Sequence, residues 1–128
     1  MNKKNIITSK APAAIGPYSQ AIAAGDFVFI SGQLPVDPKT GKMIEGDIEA
    51  LTLQVIDNIE AILSAAHLKL EHVVKTEVFL KDLNDFAAMN RAYALRFSSA
   101  APPARATIQA AKLPLDARIE IACIAYRN

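Results

Sequence analysis

Apolar residues recur through the middle of the chain at the three- and four-residue steps that place them on one face of an α-helix. From residue 47 onward these apolar positions are Ile48, Leu51, Val55, Ile59, Ile62 and Ala66. Asp47, immediately before them, has the short acceptor side chain that is favoured at a helix N-cap. The pattern therefore predicts an amphipathic helix that begins after Asp47 and buries one face.

A second helical pattern follows residue 82. Asp82 can cap this helix, and Asp85 then lies in the first turn, where a carboxylate interacts favourably with the positive end of the helix dipole. The predicted apolar stripe comprises Leu83, Phe86, Met89, Tyr93 and Phe97. Pro102 and Pro103 end any continuation, because proline lacks the backbone N–H that a helix interior requires.

The other ordered segments alternate between polar and apolar side chains with the two-residue period of β-strands. A short edge strand is predicted within residues 3–8, and further strands within residues 18–24, 27–31, 72–80, 102–110 and 113–123. Gly25 and Asp26 suit a tight hairpin, and the turn-rich residues 35–41 predict a small excursion or a second hairpin. One face of the strand over residues 72–80 is predicted to carry Val74, Thr76, Val78 and Leu80.

The last two strands carry an arginine and a glutamate. Arg105, Thr107 and Gln109 are expected on one face of the first strand. The apolar face of the second strand comprises Ala117, Ile119, Ile121 and Cys123, which leaves Glu120 on the reverse. Since a proline-containing turn joins these strands, we expect them to be neighbours, with Arg105 and Glu120 together on the non-core face.

The predicted order of strands, helix, strand, helix and two strands is typical of an α+β domain. Two helices can cover only one face of a sheet of five or six strands. The opposite face is expected to carry Glu77, Phe79, Arg105, Thr107, Glu120, Ile124 and Tyr126. A half-apolar face of that size is rarely left in water, so we expect a two-layer domain that packs its open sheet face against copies of itself.

Length and composition favour one domain over residues 1–128, because a chain of 128 residues can bury a core without disulfides or metals. The formal net charge is +1, and the sequence lacks the clustered positive charge that binds a phosphate backbone, so no nucleic-acid partner is expected. No run approaches the ~20 apolar residues of a membrane span, so no membrane partner is expected. A single cysteine allows no internal disulfide and favours a cytoplasmic location.

Five motifs, in order and with matching gaps, resemble those of a known family. They are Ala11–Gln20 (APAAIGPYSQ), Ser31–Pro35 (SGQLP), Val74–Phe86 (VKTEVFLKDLNDF), Pro103–Arg105 (PAR) and Arg118–Ile121 (RIEI). Together they make the chain similar to the RidA/YjgF/YER057c family, the reactive-intermediate (enamine/imine) deaminases. The resemblance implies a chorismate-mutase-like fold and a homotrimer with clefts at the subunit interfaces.

The resemblance also implies an activity. Similar family members hydrolyse 2-aminoacrylate and 2-iminobutanoate, which pyridoxal-phosphate dehydratases release from serine and threonine, to 2-oxo acids and ammonia. By position, Arg105 matches the arginine that binds the substrate carboxylate, and Glu120 matches the residue associated with the attacking water. Tyr18, Ser31 and Asn90 match positions around the cleft.

Two positions depart from the usual family pattern. Many members have cysteine where this chain has Thr107, and a second acidic residue often occurs where this chain has Ala122. Thr107 can still donate a hydrogen bond, so it stays a candidate for substrate binding. The scheme requires no metal or organic cofactor, since arginine holds a carboxylate in two parallel hydrogen bonds and glutamate accepts a proton from water.

The same residues allow less specific interpretations. Glu120 is also compatible with a structural ion pair to Arg105 or Arg118. The rival functional class is a non-catalytic small-ligand-binding, regulatory or holdase-type protein of the same fold. RNA cleavage has been linked to the superfamily as well, and the near-neutral charge disfavours it.

The cysteine and the two histidines carry no chemistry in this interpretation. Cys123 belongs to the apolar face of the last strand and is expected to be buried and inert. His67 and His72 are five residues apart across a helix end, which does not place both on one helical face as a zinc motif would. Both are expected to face solvent or to cap the chain nearby.

Overall fold

The computed structural model describes residues 3–128, which form a six-stranded sheet, a separate two-stranded hairpin and two α-helices. The strands are β1 Lys3–Ile6, β2 Ala21–Ala24, β3 Phe27–Gln33, β4 Val36–Asp37, β5 Lys42–Met43, β6 Val73–Leu80, β7 Ala104–Gln109 and β8 Ile119–Tyr126. The helices are α1 Ile48–Ala65 and α2 Phe86–Arg96.

The six strands lie in the order β1-β2-β3-β8-β6-β7, in which β6 and β7 pair in parallel and the other neighbours pair antiparallel. This mixed sheet confirms the predicted fold class, and β4 with β5 forms the second hairpin. The expectation that the last two strands are neighbours is wrong, because β6 lies between β7 and β8. α2 forms the crossover that parallel β6 and β7 require, and β8 then returns on the other side of β6.

Both helices pack on one face of the sheet, as predicted. Ile119 and Ile121 of β8 are fully buried in one apolar core with Val55 and Ile59 of α1 and Met89 of α2. Burial of an aliphatic side chain of this size stabilises the fold by about 1.5–3 kcal/mol, so this layer supplies much of the favourable free energy. Within residues 3–128 neither helix is long and apolar enough to cross a membrane.

The ends of α1 follow from local chemistry. The Asp47 carboxylate accepts a hydrogen bond of 2.9 Å from the backbone N–H of Ala50, which confirms the predicted N-cap. At the other end His67 adopts the left-handed conformation (φ 61°), and the N–H of Leu68 donates to the carbonyl of Leu63. These bonds use carbonyls that the helix end would otherwise leave without partners.

The start of α2 differs from the prediction. The Asp82 carboxylate accepts a hydrogen bond from the N–H of Asn84 and thereby caps a 3-10 turn of Leu83–Asp85. The helix α2 itself begins at Phe86. Met89, Tyr93 and Phe97 are buried as expected, but the first two members of the predicted stripe are exposed, Leu83 at 44% and Phe86 at 39%. Leu83 lies in the 3-10 turn, outside the α-helical period, whereas Phe86 is the first residue of α2 and contacts Arg105 instead of the core.

Two strands also differ in detail. A register irregularity in the pairing of β6 with β8 falls at Val74, so Val73 is buried where Val74 was expected, while Thr76, Val78 and Leu80 are buried as predicted. The strand expected from residue 18 begins at Ala21, which leaves Tyr18 in the preceding loop. The edge strand β1 and the Gly25 hairpin (φ 60°) lie where the sequence placed them.

The sheet face opposite the helices carries an aromatic group. The ring centroids of Phe27 and Tyr126 are 5.1 Å apart, those of Phe27 and Phe29 are 6.3 Å apart, and all three rings are exposed. Arg105 was expected on this open face and lies instead on the helix side. Arg105 pairs in parallel with Thr76 on β6, so the two side chains lie on the same face of the sheet. That face is the helix side, because the Thr76 hydroxyl is hydrogen-bonded to Tyr93 of α2.

Candidate functional site

Glu120 lies in a cleft of about 640 Å³ on the open side of the sheet. The cleft is formed by the loop before β2, the end of β3 and the connection from β7 to β8. We call it the Glu120 cleft, and its wall comprises Pro12, Ala13, Ala14, Ile15, Tyr18, Gln20, Ser31, Gly32, Gln33, Leu34, Val36, Pro38, Gly41, Pro114, Leu115 and Glu120. Two further predicted site residues, Tyr18 and Ser31, are thereby brought together with Glu120.

The Glu120 carboxylate is half-buried and lies against the backbone of Gly32. A β-carbon at position 32 would come within 2.8 Å of the Glu120 Cδ atom, so the absence of a side chain makes room for the carboxylate. Burial raises the pKa of this carboxyl group above its usual range. Within residues 3–128 no hydrogen bond or salt bridge occupies its oxygens, which leaves them available to a water or a ligand.

The two polar residues that line the cleft with Glu120, Tyr18 and Ser31, form hydrogen bonds to backbone groups. The Ser31 hydroxyl donates to the carbonyl of Ser19 at 2.6 Å, and it thereby ties β3 to the loop before β2. The Tyr18 hydroxyl accepts a long bond of 3.4 Å from the N–H of Ile15. The Ser31 hydroxyl proton is used in this bond, but the hydroxyl oxygen can still accept a hydrogen bond from a molecule in the cleft.

Gln20 is a structural determinant of this cleft that the sequence interpretation missed. Its carboxamide is buried, accepts from the N–H of Thr8 at 2.8 Å, and donates to the carbonyls of Thr8, Ala11 and Pro12. These bonds hold residues 8–12 against the sheet, although this loop does not pair with a strand. The sequence signal was a long amide side chain immediately after a loop rich in proline.

A second group of site residues surrounds Arg105 on β7, an edge strand of the sheet. The Arg105 Nη1 atom donates to the Oδ1 atom of Asn90 at 2.8 Å. The Arg105 Cζ atom lies 4.8 Å from the ring centroid of Tyr93 and 5.5 Å from that of Phe86. We call Phe86, Asn90, Tyr93 and Arg105 the Arg105 cluster. It places one exposed guanidinium on the aromatic side of α2.

Polar groups beneath the guanidinium are buried. The hydroxyl groups of Tyr93 and Thr76 share a hydrogen bond of 2.7 Å. Burial raises the pKa of Tyr93, and the bond to Thr76 and the charge of Arg105 offset part of that shift. The Thr107 hydroxyl oxygen is also buried and has no hydrogen-bond partner among residues 3–128. Protein atoms of the single chain therefore cover this hydroxyl oxygen.

One chain does not bring Arg105 and Glu120 together. Arg105 is in register with Thr76 on β6, whereas Glu120 is in register with Phe79, and β6 separates their strands. At about 4.8 Å per strand and about 3.3 Å per residue, their Cα atoms are about 14 Å apart, on opposite faces of the sheet. The predicted residues thus form two groups: Tyr18, Ser31 and Glu120 in the cleft, and Asn90, Arg105 and Thr107 at the β7 edge.

Contacts elsewhere in the chain decide the alternative interpretations of Glu120, Cys123 and His72. Arg118 pairs with Asp85 at 3.1 Å, and within residues 3–128 Glu120 has no salt-bridge partner, so the structural ion pair is wrong for the single chain. Cys123 is buried, which raises the pKa of its thiol to about 12 and makes it unreactive at neutral pH. The Nδ1 atom of His72 accepts from the N–H of Lys69 at 2.9 Å, which is the local capping role expected.

Known proteins share this fold and about half of this sequence. The family model described as Endoribonuclease L-PSP matches residues 8–127. A 2-iminobutanoate/2-iminopropanoate deaminase of Salmonella typhimurium is 51% identical over 127 residues, covering 98% of both chains. The chain belongs to the RidA/YjgF family.

Other members of the RidA/YjgF family carry different descriptions. A RutC family protein of Pyrococcus horikoshii is 54% identical over 126 residues, covering 98% of this chain and 99% of its own. The crystal structure of Escherichia coli TdcF with bound serine matches with a TM-score of 0.93 at 42% identity, over 98% of this chain and 99% of that chain. The family and the fold are therefore established together.

The geometry of the two groups defines what each can do chemically. The Glu120 cleft offers a partly desolvated carboxylate that can accept a proton, whereas the Arg105 cluster offers a cation whose remaining N–H groups can hold a carboxylate.

Within residues 3–128 no group of three or more His, Cys, Asp or Glu side chains is arranged to hold a metal ion.

Proposed function

We propose that this protein is a 2-iminobutanoate/2-iminopropanoate deaminase, a hydrolase that converts reactive enamines and imines such as 2-aminoacrylate and 2-iminobutanoate to 2-oxo acids and ammonia in the cytoplasm. The observation that supports this most is the Glu120 carboxylate, which is partly desolvated in a cleft and not occupied by any partner within residues 3–128. A deaminase relative 51% identical over nearly the whole chain supports the same substrate class.

Arg105 is proposed to bind the carboxylate of the imino acid. Asn90 occupies its Nη1 atom in the free protein, so other N–H donors of the guanidinium are left for the substrate. A planar guanidinium can give two parallel hydrogen bonds to a carboxylate, which fixes both the position and the orientation of the imine carbon. Orientation of this kind supplies a large share of the barrier reduction when the substrate is already reactive.

Glu120 is proposed to position the attacking water and accept its proton. The water oxygen forms a bond to the protonated imine carbon while one proton passes to the Glu120 carboxylate, which gives a neutral amine on a tetrahedral carbinolamine. The same carboxyl group then returns the proton to nitrogen, and the C–N bond breaks so that ammonia leaves with the bonding electron pair. As the C–O bond becomes a carbonyl, the hydroxyl proton passes to the Glu120 carboxylate, which releases it to the departing ammonia. Burial that raises the pKa of Glu120 makes it a stronger base for the first step.

We further propose that the active assembly is a homotrimer with its clefts at subunit interfaces. Arg105 and Glu120 lie on opposite faces in one chain, so a neighbouring subunit is needed to place an arginine beside a glutamate. The exposed rings of Phe27, Phe29 and Tyr126 supply the apolar surface that a symmetric interface buries. Tyr18 and Ser31 then contact the substrate from the Glu120 side, and Asn90 and Thr107 shape the Arg105 side.

The test follows the decay of 2-iminobutanoate generated by a threonine dehydratase, with and without the purified protein. We expect the wild type to accelerate decay and Arg105→Ala to abolish the acceleration. Arg91→Ala is the matched control, because Arg91 lies on the same helix as Asn90 but pairs with Glu49 at the surface. A wild type without acceleration would favour the non-catalytic binding or holdase class, and an active Arg105→Ala variant would remove Arg105 from the mechanism.

A further inference from the structure

We infer that Phe86 and Tyr93 are positioning residues that hold the Arg105 guanidinium in the orientation that binds a substrate carboxylate. This inference rests on the proposed function and adds two aromatic side chains of α2 to it. Neither residue was a site candidate in the sequence, where both were assigned to the buried stripe of the helix.

The guanidinium lies within cation–π range of both rings. Its Cζ atom is 4.8 Å from the Tyr93 centroid and 5.5 Å from the Phe86 centroid, inside the limit of about 6 Å at which the attraction is significant. Contact with a ring face uses no N–H donor, so the rings restrain the guanidinium while Asn90 occupies Nη1 and the remaining donors stay available. An arginine on an edge strand would otherwise sample many rotamers.

The two rings differ in how they are held. Tyr93 is buried, its hydroxyl is bonded to Thr76 at 2.7 Å, and its ring packs against that of Phe97 with centroids 4.5 Å apart and ring planes tilted by 32°. The Tyr93 ring is therefore held in a fixed position against the guanidinium. Phe86 is 39% exposed at the start of α2, so core packing does not explain a large apolar side chain there, whereas its contact with Arg105 does.

The decisive variant is Phe86→Leu, which removes the ring but keeps an apolar side chain at an exposed position. We expect KM for 2-iminobutanoate to rise about two- to five-fold, with kcat within about two-fold of wild type, because carboxylate binding is present in both the ground state and the transition state. Phe86→Tyr restores an aromatic face and is expected to restore KM. Leu95→Ala, which truncates another exposed apolar residue of α2, is the matched control and should leave KM unchanged.

Tyr93→Phe separates ring from hydroxyl. It keeps the ring beside Arg105 and removes only the bond to Thr76, so we expect a lower unfolding temperature and a rise in KM smaller than that of Phe86→Leu. The inference is overturned if Phe86→Leu and Leu95→Ala give the same KM, or if Phe86→Leu lowers kcat alone.

Titration calorimetry with the product 2-oxobutanoate separates this inference from the proposed function. If the wild type binds 2-oxobutanoate but does not accelerate imine decay, the proposed function fails, and a weaker affinity in Phe86→Leu than in Leu95→Ala still supports the positioning role. If the wild type accelerates imine decay and Phe86→Leu behaves as wild type in both assays, the positioning role alone fails. A wild type that neither binds nor reacts overturns both.

Discussion

The Glu120 cleft and the Arg105 cluster hold their charged groups by different means. In the cleft, backbone shape dominates: Gly32 leaves room for the carboxylate, and the buried Gln20 amide fixes the loop that forms the wall. In the cluster, side chains from one helix surround a long cation on an edge strand. The carboxylate is therefore sensitive to any change in backbone packing, whereas the guanidinium is sensitive to the side chains of α2.

Among variants that keep both Arg105 and Glu120, the largest effect is expected for Gly32→Ala. A β-carbon there would lie 2.8 Å from the Glu120 Cδ atom, so the carboxylate or the β3 backbone must move. Misplacement of a catalytic group by about 1 Å costs about 100-fold in rate, and we expect a loss of that order in kcat/KM. Initial rates of imine hydrolysis measure it.

Gly41→Ala is the control for Gly32→Ala. Gly41 also lines the cleft and has a positive φ of 73°, but an added β-carbon would contact nothing within 4 Å. Backbone strain is expected to cost about 1 kcal/mol of stability there while activity is kept. Equal losses of activity in the two variants would show that strain, and not the position of Glu120, limits the rate.

The pH dependence of the reaction tests the cleft in a second way. Only the ionised Glu120 carboxylate can accept a proton, and burial raises its pKa, so activity is lost as pH falls through that raised value. After subtraction of the uncatalysed rate, kcat/KM should fall about ten-fold per pH unit below it. Glu60→Gln, which changes a surface carboxylate bonded to Arg96, should leave the profile unchanged. An acid limb in the range of an ordinary exposed glutamate would contradict the assignment.

The smallest effect is expected beside the Arg105 cluster. The Thr107 hydroxyl oxygen is buried without a partner in residues 3–128, and valine has nearly the same shape without the hydroxyl. Thr107→Val is expected to raise the free energy of unfolding by about 1 kcal/mol, measured by urea denaturation, with unchanged activity. A large loss of activity would mean that substrate or a neighbouring subunit receives this hydroxyl.

Local rules in the sequence predicted much of this fold. The 3.6-residue period and the Asp47 cap defined α1, and Gly25 defined the first hairpin, because these signals depend only on neighbouring residues. The order of the last strands was mispredicted, since alternation says nothing about which strand lies beside which. The Val74 irregularity was missed for a related reason: a strand period assumes an unbroken ladder.

The identities of the site residues could be predicted from the resemblance of the motifs, but their arrangement in space could not. Alternation correctly grouped Arg105 with Thr107, but it could not say that this group faces α2, because that depends on the parallel pairing of β6 with β7. Phe86 was assigned to the core since its spacing fits a helix, while in the structure its ring is exposed and lies beside the Arg105 guanidinium. Long-range packing thus decides features that local pattern leaves undetermined.

The central claim is that each active site takes Arg105 from one subunit and Glu120 from another. Arg105→Ala and Glu120→Gln are each expected to be inactive alone. When the two variants are co-assembled in equal amounts, a site with both wild-type residues forms at about one quarter of the interfaces, so about one quarter of the wild-type rate should return. Mixed oligomers that form, as shown by intact mass measurement, and yet have no activity would contradict the claim.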